Sequence, residues 1–208
     1  MRKEHALETE DRKRLLEATE FAYTWHAEQK RKQSEIPYVS HLLQVAGLVL
    51  EHGGCVDQAI AGLLHDSLED APDAQQREER EQAIAECFGE DVLDMVRDCT
   101  DTGPDESLEQ KRPWAERKGD FVARLAHARR GSLLVVACDK RHNLQAIVGD
   151  VRSEGASVFE RFTGRPGQQV WYFEAVFGVL RDSIPIRLSQ ELDALLEALK
   201  SQVADVDD

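Results

Sequence analysis

Residues 59–70 read Ala59-Ile60-Ala61-Gly62-Leu63-Leu64-His65-Asp66-Ser67-Leu68-Glu69-Asp70, an apolar run that ends in a histidine and three acids. An apolar stretch with no polar face reads as a helix buried on all sides. The spacing predicts this helix over about 56–70, with His65-Asp66 delivered into the interior. A buried imidazole–carboxylate pair needs partners, because unpaired burial is costly. Asp66, Glu69 and Asp70 are related by i+3 and i+4, so they share a face. Acids packed this closely repel one another unless a cation or a parked proton relieves them, and either outcome suits catalysis. Taken alone, the same residues also fit a helix end with a solvated acidic cluster.

Helical spacing continues on both sides of this segment. Upstream, a charged helix is predicted over about 9–32 with Leu15, Ala18, Phe21, Ala22 and Trp25 on its apolar face. A second, from about Val39 to His52, carries Leu42, Val45, Ala46, Val49 and Leu50 on one face and stops at Gly53-Gly54. Downstream, Ala71-Pro72-Asp73-Ala74 breaks the chain. Helices are expected at about 77–88 and 90–99 around Gly89, a loop at 101–110, and a helix at about 114–130 ending at Gly131. Ser132 is a candidate cap for a helix over about 133–147. Leu133-Leu134-Val135-Val136-Ala137 alone would also suit a strand, but the polar residues after it make sense at helical spacing. Pro166 suits a helix start. A last helix over about 187–202 has the stripe Leu188, Leu192, Leu195, Leu196 and Leu199, ahead of a solvated acidic tail, Asp205-Val206-Asp207-Asp208. Trp171-Tyr172-Phe173 reads as core. The expected fold is all-α, with roughly eight to ten helices in a single compact domain over 1–208 around the Leu63–Asp66 segment.

Two further residues suit the His65-Asp66 pair. His41 opens the second helix after Pro37-Tyr38, and Asp139 follows the apolar run ending at Cys138, with Asn143 one turn beyond on its face. Alone, each has a structural reading, as a packed histidine or a cap. Together, two imidazoles and two carboxylates form a mixed nitrogen and oxygen set that suits one borderline or hard divalent ion and leaves positions open for water and phosphate oxygens.

The chain has 208 residues, 41% of them hydrophobic, and a formal net charge of −14. The length suits one domain with a real core. The charge opposes binding to nucleic acid and acidic membranes. A phosphate-bearing substrate therefore needs a local positive spot, for which Lys30-Arg31-Lys32 is a candidate; it is otherwise a solvated helix end. No apolar run is long enough for a membrane span. Met1-Arg2-Lys3-Glu4-His5 leads into no apolar stretch, so no signal peptide and a cytoplasmic setting are expected. Cys55, Cys87, Cys99 and Cys138 form no CxxC pair and are expected to be buried free thiols.

His26-Ala27-Glu28-Gln29-Lys30-Arg31-Lys32, Pro37-Tyr38-Val39-Ser40-His41 and Leu63-Leu64-His65-Asp66-Ser67-Leu68-Glu69-Asp70 resemble, in order, the hydrolase domain of the RelA/SpoT alarmone enzymes, a branch of the HD superfamily. Phe88-Gly89, Val96 and Thr100-Asp101 continue the likeness, and Asp139-Lys140-Arg141-His142-Asn143 resembles its closing motif. The resemblance spans about 18–180 and is nearest to the stand-alone small alarmone hydrolases. It implies that His41, His65, Asp66 and Asp139 hold one Mn2+, that Glu69 and Asp70 are the catalytic carboxylates, and that Arg31, Lys32 and Asn143 bind substrate. The implied reaction removes the 3′-pyrophosphate from a purine nucleotide alarmone, (p)ppGpp and/or (p)ppApp. Of the extra histidines that dinuclear HD phosphodiesterases use, only His127 lies between His65 and Asp139, which favours one ion. His52, His127 and His142 have no clear partner by spacing. The sequence departs from the family pattern in a longer Lys32–Pro37 loop, in Ala71 where Thr is common, and in Ala146 where some members carry Thr. Another HD nucleotidase or phosphatase, or a nucleotide sensor without turnover, are the alternative readings. Oligomeric state and base preference are left open.

Overall fold

A computed structural model describes residues 8–32, 34–103, 106 and 111–207, with side chains described up to 204. Among these residues the regular structure is helical: α1 (Thr9–Trp25), α2 (Val39–Glu51), α3 (Val56–Leu64), α4 (Ala74–Phe88), α5 (Glu90–Cys99), α6 (Trp114–Leu125), α7 (Arg130–Glu154), a 3-10 helix (Ala156–Arg161), α8 (Pro166–Leu180) and α9 (Ile186–Asp207). The one β contact among them is an isolated antiparallel bridge between Lys30 and Pro37. The all-α expectation holds. Met1–His5 and most of the 104–110 loop lie outside the described residues.

The apolar run forms α3, which packs against α1, α2, α5 and α7. Ala59, Ile60, Ala61, Leu63 and Leu64 are all fully or almost fully buried. Contact with α2 is close at Gly62, where a Cβ would lie 3.3 Å from the Ala46 Cα. The missing side chain lets the two backbones approach, which brings His41 on α2 beside His65. Gly53, at φ +84°, makes the left-handed turn that reverses the chain between the two helices.

Several boundaries differ from the expected ones. The first helix ends at Trp25, because residues 28–32 offer no apolar position to bury. The chain turns there instead, with Arg31 N donating to Ile36 O at 2.9 Å and Tyr38 N to Gln29 O at 2.9 Å. α3 stops at Leu64, and residues 65–70 form turns. The His65 ring takes the Gly62 carbonyl at 2.8 Å and Arg80 takes the Ser67 carbonyl at 2.7 Å, so side chains claim oxygens that a continuing helix would use. One helical bond survives, Asp70 N to Asp66 O at 2.9 Å, and keeps the acids near their expected relation. α4 starts earlier than expected because Asp73 caps it, accepting from Gln76 N at 2.7 Å.

Gly131 and Ser132 lie inside the first turn of α7 and terminate nothing. The Gly131 carbonyl accepts from Gln58, and the Ser132 hydroxyl donates to Asp98 at 2.6 Å. α9 continues through the expected acidic tail as far as Asp207. Leu50 and Trp171 are 38% and 44% exposed, so neither is core. All four cysteines are free, but Cys55 and Cys87 are exposed; only Cys99 and Cys138 are buried as expected.

Candidate metal centre and acidic cluster

Three elements deliver the site. α2 supplies His41 from its first turn, the end of α3 supplies His65 and Asp66, and the middle of α7 supplies Asp139. His41 Nε2 lies 3.3 Å from His65 Nε2. Asp139 Oδ1 is 3.2 Å from the first and 3.5 Å from the second. Asp66 Oδ2 is 2.9 Å from His65 Nε2 and 3.6 Å from His41 Nε2. His41, His65 and Asp139 are buried, and their ligand atoms lie within 4.8 Å of one another.

The donor set fits a divalent ion. His65 Nδ1 faces the Gly62 carbonyl at 2.8 Å, which places the ring proton there and turns the Nε2 lone pair into the pocket. His41 Nδ1 is likewise engaged, 2.8 Å from His142 Nδ1. Two imidazole lone pairs and two carboxylates then converge on one point, which is stable only with positive charge between them. The field of the pocket says the same. Burial alone would lower the His65 pKa, but the charges of Asp66 and Asp139 outweigh burial and raise it well above the usual histidine range. Lys140 donates to the outer oxygen of Asp139 at 2.6 Å, and the Tyr38 hydroxyl donates to Asp66 Oδ2 at 2.6 Å. Both contacts fix the carboxylates that face the histidines.

His142 has no expected role from its spacing, yet it orients His41. Burial, then the charges of His41 and Arg31, lower its pKa to about 4, so at neutral pH its Nδ1 is free to accept from His41. A signal was present: His142 follows Asp139 by three positions on α7, which puts both on one face. Losing a partner of this kind typically costs about 10–100-fold in metal affinity. His142→Ala is expected to weaken metal binding by a factor in that range, read by metal titration of the purified protein. Unchanged affinity would show that His41 is held without it.

Glu69 and Asp70 lie beside the metal pocket and have different surroundings. Glu69 faces Lys111 at 3.1 Å and Arg117 at 3.8 Å. Asp70 Oδ2 accepts from Gln29 Nε2 at 2.8 Å, and Gln29 is held in turn by buried His26, whose Nδ1 lies 2.5 Å from Gln29 Oε1. Burial, then the charges of Asp66 and Glu69, raise the Asp70 pKa to about 7, against the opposing pull of Gln29 and Lys111. The two carboxylates are therefore set apart: one is matched by cations, and the other is poised to exchange a proton near neutrality.

A group of cations gathers beside these acids, each paired with a carboxylate: Lys111 with Glu69, Lys118 with Asp101 and Lys140 with Asp139. Lys118 and Lys140 flank the Tyr172 ring at 4.9 and 5.7 Å from its centroid. Asp101 anchors this group through ion pairs with Arg117 and Lys118. Burial alone would raise the Asp101 pKa, but Lys118 and then Arg117 hold it at about 2. A carboxylate depressed in the fold contributes stability above its unfolded pKa, near 4, and loses it as pH falls towards 2. Asp101→Asn is accordingly expected to lower stability by about 2 kcal/mol at pH 7 and to flatten its fall below pH 4, measured by urea titration across pH. A variant as stable as the parent at pH 7 would contradict the assignment.

Arg31 and Asn143 meet: Arg31 Nη2 donates to Asn143 Oδ1 at 3.1 Å, while Asn143 Nδ2 donates to Asp139 Oδ1 at 2.5 Å. Lys32 is exposed at the rim, its ammonium 5.7 Å from the Phe162 ring centroid. His127 is exposed in the turn after α6 and takes no part in the cluster. Gln29, Lys111 and Lys118 carried no role in the sequence, because each reaches the site from an element or turn whose placement spacing does not give; Tyr38 and Lys140 carried none either, although each lies close to a site histidine or acid in sequence.

A buried His–His–Asp cluster at the junction of three helices defines a metal-binding helical domain, and the chain belongs to the HD domain family, which it matches over residues 18–169. Within that family it is similar to the guanosine-3′,5′-bis(diphosphate) 3′-pyrophosphohydrolase of Xenopus tropicalis, 36% identical over 134 residues, which cover 63% of this chain and 68% of that one. The Homo sapiens enzyme of the same name is 35% identical over the same shares. The fold resembles a solved structure described as a metazoan ortholog of SpoT that hydrolyzes ppGpp, with a TM-score of 0.68 at 24% identity, covering 88% of this chain and 94% of that one.

Proposed function

We propose that this protein is a metal-dependent 3′-pyrophosphohydrolase of purine alarmones, (p)ppGpp and/or (p)ppApp, releasing pyrophosphate. The observation that carries the reading is the buried cluster of His41, His65 and Asp139, with Asp66 Oδ2 2.9 Å from His65 Nε2, Lys111 on Glu69 and Lys140 on Asp139. The relatives' names supply the substrate class.

His41, His65, Asp66 and Asp139 hold one ion, for which Mn2+ suits the mixed nitrogen and oxygen donors. When bound, the ion supplies charge stabilisation at phosphoryl oxygens and makes nearby water more acidic. Asp70, poised near neutrality, takes the proton of the attacking water. As the bond between phosphorus and the ribose 3′-oxygen breaks, that oxygen takes up the proton Asp70 accepted, and Glu69, held by Lys111, eases the departure by orienting the groups around it. Lys111, Lys118 and Lys140 offset the charge of the pyrophosphate. Arg31 and Lys32 bind the nucleotide, and Asn143, fixed between Arg31 and Asp139, meets the ribose. Residues 1–208 act as one domain in the cytoplasm. Among the described residues no helix is long and apolar enough to cross a membrane.

Turnover of a panel comprising ppGpp, ppApp, GTP, ATP and nucleoside monophosphates tests the reading. Release of pyrophosphate from the 3′-bearing nucleotides alone supports it. Cleavage restricted to the others makes the protein a different HD nucleotidase, and binding with no turnover makes it a sensor. Arg31→Ala or Lys32→Ala is expected to raise KM about tenfold or more while kcat changes little, since these groups lie away from the scissile bond and supply binding shared by ground and transition states. A fall in kcat at unchanged KM would contradict that placement.

A further inference from the structure

The segment after α5 also walls a second cleft, of about 620 Å3, and none of the described residues lining it belongs to the metal pocket. The volume is that of a small-molecule site. Arg77 and Glu81 enter it from α4, Arg97 from α5, Arg112 from the turn before α6, and Asp120 and Arg124 from α6. Four guanidiniums thus line one cleft of a chain whose formal net charge is −14. Among the described lining residues there is no lysine, and arginine is the residue suited to bidentate recognition of phosphate.

Two of the four are underused by the protein. Arg124 donates to the Thr100 carbonyl at 2.9 Å, and no carboxylate pairs with it among the described residues. Arg77 is 93% buried, by its 7% exposure, and donates to Thr102 Oγ1 and the Gly103 carbonyl, each at 3.0 Å. Its Nε has no hydrogen-bond partner among the described residues; the Glu81 carboxylate stands 3.6 Å away. The other two make rim ion pairs, Arg97 with Glu81 and Arg112 with Glu106 and Asp120. Each of these two guanidiniums is 44% exposed, so it can offer an outward N–H to an incoming anion while keeping its carboxylate partner.

We propose that this cleft is a second ligand site, separate from the metal pocket, for a compact polyanion: a metabolite with two or three clustered phosphates. Buried Arg77 sets the floor, Arg124 offers an uncommitted cation, and Arg97 and Arg112 close over the ligand from the rim.

The probe is cyclic trimetaphosphate, a compact and weakly chelating polyanion, titrated calorimetrically into the metal-loaded protein. Saturable binding is expected, weakened about tenfold or more by Arg124→Ala and by Arg97→Ala/Arg112→Ala, because each removes charge-assisted hydrogen bonds. The rim variant alters exposed side chains, and unchanged thermal unfolding separates loss of binding from loss of fold. His65→Ala, which removes a metal-pocket residue, is expected to bind the probe as the parent does. Absence of binding to the parent, affinity equal to the parent's in both arginine variants, or binding lost in His65→Ala but kept in the arginine variants would each overturn the proposal.

Discussion

Asp70→Asn and Glu69→Gln are expected to lower turnover by about two or more orders of magnitude, with the fold and most of the bound metal retained. The factor follows from what positioned acid–base groups contribute, about 10²–10⁴ in rate. Neither residue belongs to the converging set of His41, His65, Asp66 and Asp139. Both substitutions conserve shape and remove the ionisable group alone. The surroundings assign a pH signature to one of them. Burial and the charges of Asp66 and Glu69 raise the Asp70 pKa to about 7, and it must be deprotonated to accept a proton. Activity therefore rises with pH on this limb, and a neighbouring cation moves the limb below pH 7. Asp70→Asn loses the limb together with the rate, whereas Glu69→Gln retains a limb, moved to lower pH because the Glu69 charge no longer raises the Asp70 pKa. Steady-state kinetics from pH 5 to 9 reads both. Near-parental turnover in either variant would reduce that residue to support for its neighbours.

His65→Ala and Asp66→Ala are expected to lose bound metal and activity together. Each removes a donor from a point where two imidazoles and two carboxylates meet within 3.6 Å, and each leaves the remaining groups buried with less compensation. Asp66 has a further dependence, since the Tyr38 hydroxyl donates to the oxygen that faces His65. Metal analysis of the purified variants distinguishes this outcome from a purely catalytic one. Normal occupancy with lost turnover would mean that the ion is held elsewhere.

The helical class and the centre of the fold were legible because the 59–64 run carries no polar residue and the α9 stripe repeats at helical spacing. The grouping of His41, His65, Asp66 and Asp139 was legible from residue chemistry, since buried acids beside imidazoles need a cation. Helix ends were less so. α3 was read through Asp70 because spacing does not reveal that Arg80 captures the Ser67 carbonyl. α1 was read too long because the charged run after it is compatible with helix until Tyr38 is seen to need the turn that aims its hydroxyl at Asp66. The lysine group was hidden for a similar reason. Lys111, Lys118 and Lys140 come from the turn before α6, from α6 and from α7, and only the packing around Tyr172 and Glu69 brings them to one side.

The claim that ties these observations together is that the ion pocket and its adjoining acids remove the 3′-pyrophosphate as one unit. Phosphorus NMR of ppGpp incubated with the metal-free protein, followed by addition of Mn2+, tests it directly. The account predicts no reaction until the metal is added, then appearance of inorganic pyrophosphate and GDP in equal amounts, with no orthophosphate. Stepwise release of orthophosphate, or turnover that proceeds at the same rate without metal, would contradict it.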